Sequence, residues 1–433
     1  MALIRFVVVV VAAALVAPSR LSAETCTKGS CVDGQGVLIF PDGGSYEGGF
    51  RNMRYEGHGV RIFEEGGSYE GDFKGGRYHG KGTRVWPNGD KYVGEFKEGR
   101  REGQGTLTSP GGRKRTGAWR NNLLHGKGLE EEAVGNIYEG DFVNGNKDGR
   151  GIMHYRSSAV YEGGWKENVF EGKGKLTLAD GGIYEGDFKN GLHHGVGKQT
   201  TTDGMTYVGE FKLGKWNGKG ELRHPNGAHY AGQFADGLYD GQGTLIYADG
   251  AKYAGEFHLG KREGKGTLIS ADKSRYEGNF KNDWEDGEGT LYYADGAVYT
   301  GQLRNGTREG KGTLDRRDGQ KYAGEFRNDY FDGTGRLFIP GRGVFEGDFR
   351  HGKYDGDGKT TFLNGLVLTA QYRGGLLDGP CTLRLSDGGL LRGQFRYGNA
   401  EGTWSLVGPN GQRREWQLKD SIPKELEPLL KGL

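Results

Sequence analysis

Carboxylates recur along this chain with a spacing that invites a chemical reading. Asp or Glu fills 13 of 17 positions set 23 residues apart, each just before a Gly-x-Gly triplet, among them Asp33, Glu56, Glu102, Asp148, Glu171, Asp240, Glu263 and Asp286. Carboxylates in series could hold a divalent cation or work as an acid–base pair. If each period adds two strands to a sheet, equivalent carboxylates lie about 9.6 Å apart. Calcium takes its oxygens at about 2.3–2.6 Å, so neighbouring repeats cannot share an ion. The separation touches the upper limit for inverting glycosidases, but a position repeated along the whole chain reads as a turn stabiliser, not as one active site. His79, His125 and His194 occupy the same column and read as turn variants. A zinc site would need four close-spaced ligands, and none cluster. The expectation is therefore no metal, no cofactor and no catalysis.

A second column is basic. Lys or Arg follows the aromatic residue of a repeated pentad in 13 of 16 copies, including Lys74, Lys97, Lys189, Lys212, Lys281, Arg304, Arg327 and Arg350. Such a line of cations is a candidate contact for anionic lipid headgroups. The competing reading pairs them with acids of the same pentads, Asp72, Glu95, Asp187, Glu210 and Glu256, which share their face by strand alternation.

A third, aromatic column stands two residues before Gly-x-Gly: Tyr55, Tyr78, Phe170, Trp216, Tyr239, Phe331 and Tyr354. Exposed, this ladder could stack on the sugars of a carbohydrate or cell-wall polymer; folded back, it packs on the sheet. Two other motifs fail. Gly358-Lys359-Thr360 lacks the glycine that a phosphate loop needs at 353, where Lys353 stands. Asn305-Gly306-Thr307 is a glycosylation acceptor only in a host with that machinery.

The elements that must position these columns follow from one period. Tyr-x-Gly-x-Phe begins at Tyr46 and returns at 23 residues or multiples of it through Tyr322, with degenerate copies at Arg115, Phe345, Leu368 and Leu391. Gly-x-Gly keeps the same step from Gly34 through Gly356, and the next copy has Gly379 with Cys381 in the second place. In one unit, Tyr230, Gly232 and Phe234 share a face of the first strand, a turn passes Asp236-Gly237, and Gly241, Gly243 and Leu245 share a face of the second. Asp249-Gly250 leads onward, and Asp-Gly at such points predicts a type I′ turn. The fold expected is all-β: an elongated, solenoid-like single sheet of about 16 tandem 23-residue antiparallel hairpins. Glycine beside the rings lets an aromatic face lie on bare backbone.

Composition agrees. Glycine supplies 86 of 433 residues, against roughly 7% in ordinary proteins. Collagen would need glycine at every third position, and 43 Phe and Tyr are too many for a disordered chain. At the start, Arg5, the apolar run Phe6–Val16, Pro18 and Leu21-Ser22-Ala23 read as an export signal over residues 1–23. The chain beyond it is neutral, with 57 basic and 57 acidic residues once Arg5 and Arg20 are removed, so no nucleic-acid partner is expected. Residues 24–33 read as an N-terminal cap, in which export makes a Cys26–Cys31 disulfide the expectation. The array runs over 34–411. Residues 412–433 form a C-terminal cap, with a possible short helix at Leu426, Leu429 and Leu430.

Tyr-x-Gly-x-Phe, Gly-x-Gly-x-Leu and Asp-Gly every 23 residues resemble MORN repeats over about residues 34–411. The resemblance implies an extended array of antiparallel hairpins, associated with phospholipid or membrane contact, dimerisation and scaffolding, and not itself enzymatic. The function expected is an exported, periplasmic or extracellular, non-catalytic scaffold. Its partners would be a membrane surface, a protein or a second copy of itself, with no small-molecule substrate. A carbohydrate or cell-wall binding module using the aromatic ladder is the alternative.

Overall fold

The computed structural model describes residues 24–418 together with Lys424 and Glu427. The export signal and the short helix expected around Leu426 lie outside the described residues. The 35 described elements are all β-strands, so the fold is all-β and built of antiparallel hairpins, as the period predicts. Two compact units divide the chain, Met1–Leu192 and His193–Leu433.

In the second unit, the strand His229–Ala235 pairs with Leu238–Ile246: Tyr230 faces Leu245 and Gly232 faces Gly243, then Phe234 faces Tyr239. Between those pairs the register shifts, leaving Gln233 alone against Asp240, Gly241 and Gln242. The next pairing, Leu238–Ile246 with Lys252–His258, runs without a shift. The first unit repeats both patterns, with the same shift between Gly163 and Trp165 and none between the strands Val169–Thr177 and Ile183–Lys189. Each of these repeats therefore carries a bulge.

Turn chemistry differs from the expectation. The type I′ turn lies inside the hairpin, where Asp236 and Gly237 have φ of 50° and 89°. At Asp249-Gly250 only the glycine is left-handed, at 88°. There Gly250 N donates to the Tyr247 carbonyl at 3.0 Å and Tyr247 N to the Ala251 carbonyl at 2.8 Å, a type I turn followed by a left-handed glycine. Asp249 Oδ1 accepts from Ala251 N at 2.9 Å, and this Asx turn explains the aspartate.

The core is a row of tyrosines on glycine. Tyr230 is fully buried, its ring over Gly232 and Gly243. A Cβ on Gly243 would meet the ring carbons of Tyr230 at 2.6 Å, so no other residue fits. Oη of Tyr230 donates to the bulged carbonyl of Gln233 at 2.9 Å, and Tyr253 and Tyr299 repeat the bond to Glu256 and Gln302. Edge-on phenylalanines close the row: Phe234 and Phe257 stand 5.0 and 5.2 Å from the Tyr230 ring.

Strands lie near both ends of the continuous segment 24–418. Thr25–Gly29 pairs with Gly34–Ile39, and Cys26 and Cys31 form a disulfide, with Cα atoms 6.0 Å apart. Arg413–Leu418 pairs with Asn399–Val407, so the start of the C-terminal cap extends the sheet. Leu391 replaces the last pentad tyrosine, and Trp404 stands where the second glycine of the triplet belongs. Trp404 is fully buried over Gly393, and its Nε1 donates to the Glu401 carbonyl at 3.1 Å. It fills the space a tyrosine ring fills elsewhere, and it carries a similar donor.

Candidate functional site

The acidic column binds backbone. Asp240 Oδ2 accepts from Leu259 N at 3.1 Å, Glu263 from Asn282 N at 2.9 Å and Glu171 from Asn190 N at 2.9 Å. In each case the donor is the first residue of the type I′ turn in the following repeat. The second turn residue is held by the neighbouring carbonyl, as Gly260 N to Tyr239 O at 2.8 Å. His125 does the same work with its Nδ1, 3.4 Å from Asn144 N. Among the described residues no three His, Cys, Asp or Glu side chains converge as a metal site would require.

The aromatic ladder is stacked. Tyr55 lies on Tyr46, Tyr78 on Tyr69, Tyr239 on Tyr230 and Tyr354 on Phe345, with centroids 3.8, 3.8, 3.8 and 3.9 Å apart. Phe170 on Tyr161, Trp216 on Tyr207 and Phe331 on Tyr322 complete the set at 3.6, 4.7 and 3.7 Å. All seven are half-buried. One face of each ring is committed to the core, which leaves an edge and part of one face for any ligand.

The basic column is exposed at all eight candidates. Its ion pairs differ from the expected ones. Arg327 reaches Asp332 at 3.4 Å, and Arg373 reaches Asp378 at 3.5 Å, both in the acidic column. The pentad acids turn elsewhere: Asp141 and Asp187 pair with Lys127 and Lys173 at 2.8 and 2.7 Å, and Glu210 accepts from Lys219 N at 3.0 Å. Asp141 and Asp187 stand directly opposite Lys127 and Lys173 in ladders without a shift, while the bulge draws acids such as Glu210 over the first glycine of the triplet and onto the amide that follows it. Among the described residues, Lys74, Lys97, Lys189, Lys212, Lys281, Arg304 and Arg350 have no carboxylate within ion-pair distance.

The MORN repeat family model matches sixteen segments from residue 33 to residue 390, nearly all of the array. This chain belongs to the MORN repeat family. The family pattern ends at 390, yet the strands Leu390–Arg396 and Asn399–Val407 form one more hairpin of the same kind. No curated protein matches the chain. Among solved structures, the TCP domain of Drosophila melanogaster SAS-4, in complex with a proline-rich motif of Ana2, is 17% identical over 52% of this chain and 90% of that one, with a TM-score of 0.20. The TCP10 domain of Danio rerio CPAP is 12% identical over 62% and 99%, with a TM-score of 0.18. The extracellular domain of the hybrid two-component system BT3049 of B. thetaiotaomicron is 10% identical over 92% and 74%, with a TM-score of 0.18. Scores this low carry no argument about fold or role.

Sequence reasoning passed over the hairpin tips of the second MORN unit. The residue pairs that flank the type I′ turns include Lys281 with Trp284, Arg327 with Tyr330 and Arg373 with Leu376, recurring at every second repeat. Trp284, Tyr330 and Leu376 are each more than half exposed. Leu213, Leu259 and Tyr397 occupy the first turn position itself, with φ of 51°, 49° and 48°, and are 68%, 63% and 65% exposed. Asn, Asp or Gly fits that backbone, whereas Leu and Tyr are strained there. The signal in the sequence is the apolar residue in a turn column otherwise filled largely by Asn, Asp and Gly.

Proposed function

We propose that this MORN-repeat protein is a non-catalytic, exported scaffold whose second unit docks its hairpin tips on an anionic membrane surface. One observation supports the reading above the others: Leu213, Leu259 and Tyr397 accept a left-handed backbone and high exposure. Leu213 follows Lys212, which among the described residues has no carboxylate within ion-pair distance, whereas Arg396 beside Tyr397 pairs with Glu401 at 3.3 Å. A residue that is both strained and exposed stabilises nothing within the chain, which favours a role in contact. Leu, Trp and Tyr beside Lys and Arg are the composition that enters the headgroup region, where the apolar part inserts and the cation meets phosphate.

Flotation of the chain from residue 24 with phosphatidylcholine vesicles, with and without phosphatidylserine, tests the reading. Binding is expected with phosphatidylserine at low salt, falling as salt screens the charge. The triple variant Leu213→Asn, Leu259→Asn, Tyr397→Asn relieves backbone strain, so lost binding in it cannot come from unfolding. Failure of the wild-type chain to float at low salt refutes membrane docking. The carbohydrate alternative has less support, because the seven ladder rings are stacked on the core.

A further inference from the structure

The column filled by Leu245 in the second unit carries charge at three places in the first: Arg61, Arg84 and Glu130. At Glu130 the charge is answered. Its side chain is 3% exposed, Oε1 meets Arg113 and, at 2.7 Å, Arg115 Nε, and Lys147 Nζ lies 3.5 Å from Oε2. Among the described residues, Arg61 and Arg84 have no carboxylate within ion-pair distance. They stand instead in a stack of rings: the Arg61 guanidinium carbon is 3.4 Å from the Phe40 centroid and 5.3 Å from that of Phe63, and Arg84 is 3.9 Å from Phe63 and 5.5 Å from Trp86. Both arginines are half-buried, and Nη1 of each is a buried donor with no acceptor. The phenol of Tyr55 bonds Arg61, and burial lowers the Arg84 pKa with only Tyr78 opposing it.

A guanidinium half withdrawn from water, with one buried donor and no anion, is a cost that the leucine usual in this column would not impose. The faces of both groups are covered by rings, so an incoming ligand has the edge of the fork, the geometry that suits a carboxylate. The rings cannot serve as platforms for nucleic-acid bases, since the arginines already cover Phe63. Planar membranes are also a poor match for side chains recessed among Phe40, Phe63 and Trp86.

Spacing narrows the ligand further. Arg61 and Arg84 lie two strands apart, on Arg54–Ile62 and Arg77–Val85, and two strand spacings come to about 9.6 Å. A polyproline II segment makes one turn in three residues of about 3.1 Å, which places every third side chain on one face about 9.3 Å apart. In a β-strand, same-face side chains recur at about 6.8 Å and miss this step. We propose that Arg61 and Arg84 bind two carboxylates, three residues apart, of an acidic polyproline II segment of a partner protein. The segment crosses the repeats of the first unit, and its prolines lie along the ring edges of Phe40 and Trp86 that the arginines leave uncovered. This site shares no residue with the membrane-docking tips of the second unit.

Fluorescence anisotropy with the chain from residue 24 tests it. The probes are a labelled peptide of five Glu-Pro-Pro triplets and a control of the same length with Glu at every second position. The triplet peptide is expected to bind, and the control at least fivefold more weakly. Arg61→Leu with Arg84→Leu restores the usual residue of the column and should cut triplet binding at least tenfold, with no fall in melting temperature. If that variant is poorly folded, Arg84→Lys, which keeps the charge and loses the fork, should still weaken binding severalfold. Equal binding of the two peptides, unchanged binding in the variants, or no binding of the triplet peptide at low salt would each overturn the assignment. Loss of vesicle flotation in the leucine variant, without peptide binding by the wild type, would also overturn it.

Discussion

The ring of Tyr230 lies flat on Gly243, one strand away, with no room for a side chain between them. This contact, repeated along the tyrosine pentads, lets a single sheet bury rings without a second layer. Gly243→Ala forces the ring off its seat, and overpacking of this kind costs about 1–3 kcal/mol. Tyr230→Phe keeps the ring and removes its bond to Gln233, at about 1 kcal/mol. Thermal melts of the two variants should rank them in that order, and an alanine variant as stable as the wild type contradicts the packing account.

The Asp240 carboxylate crosses to the turn of the next repeat. Asp240→Ala removes the acceptor of Leu259 N and should open that turn by about 1 kcal/mol, as loss of a comparable side-chain cap does. Hydrogen exchange at Leu259 and Gly260 is the direct readout. Protection equal to wild type at both amides would mean that the bond contributes nothing.

Leu259→Asn replaces an exposed, left-handed leucine by a residue that tolerates this backbone. We expect a gain of up to about 1 kcal/mol, seen as a higher melting temperature. A lower melting temperature would show that Leu259 is a packing residue of the isolated chain, and would weaken the case for the tips as a contact surface.

Alkaline pH should unfold the array. Burial pushes the Tyr92 and Tyr276 hydroxyls up from 10 to about 12, and it raises those of Tyr138, Tyr230 and Tyr322 in the same direction. The unfolded chain then loses its phenolic protons first. Their contribution to stability is complete below pH 10 and is lost as pH rises toward 12. Tyrosine ionisation, read by ultraviolet absorbance, and circular dichroism should therefore change together near the upper end of that range. Complete tyrosine ionisation near pH 10 with the sheet intact would refute the burial.

Glu130 is the keystone of a charged cluster in a column that leucine mostly fills. Glu130→Gln leaves Arg115 without its buried anion and Lys147 with Glu132 alone, a change that costs about 3–5 kcal/mol in comparable pairs. Restoring the usual residues at once, Arg115→Tyr with Glu130→Leu and Lys147→Tyr, should be neutral or stabilising. Chemical denaturation of the single and triple variants separates the two cases.

Much of this was legible in the chain. The 23-residue step carries the hairpin, its strands and the position of every turn, because each depends on residues a few places apart. Reading Asp249-Gly250 as the type I′ turn failed, since Asp-Gly also suits a type I turn with a left-handed glycine, and strand length decides between them. Strand alternation placed Asp187 and Lys189 on one face, but the pairing register sets Asp187 directly opposite Lys173 on the preceding strand. No pattern within one strand reports which lysine stands opposite.

The sequence by itself determined the repeat, the glycine seats and the family, all of which are properties of short-range spacing. Tertiary structure decided partnership. It alone assigned Asp240 to the turn of the following repeat, stacked Tyr239 on Tyr230, answered Glu130 with Arg115 and Lys147, and left Arg61 and Arg84 without an anion. Partners come from different strands, and bulges and turns set which strand positions meet; residue types alone do not carry that information.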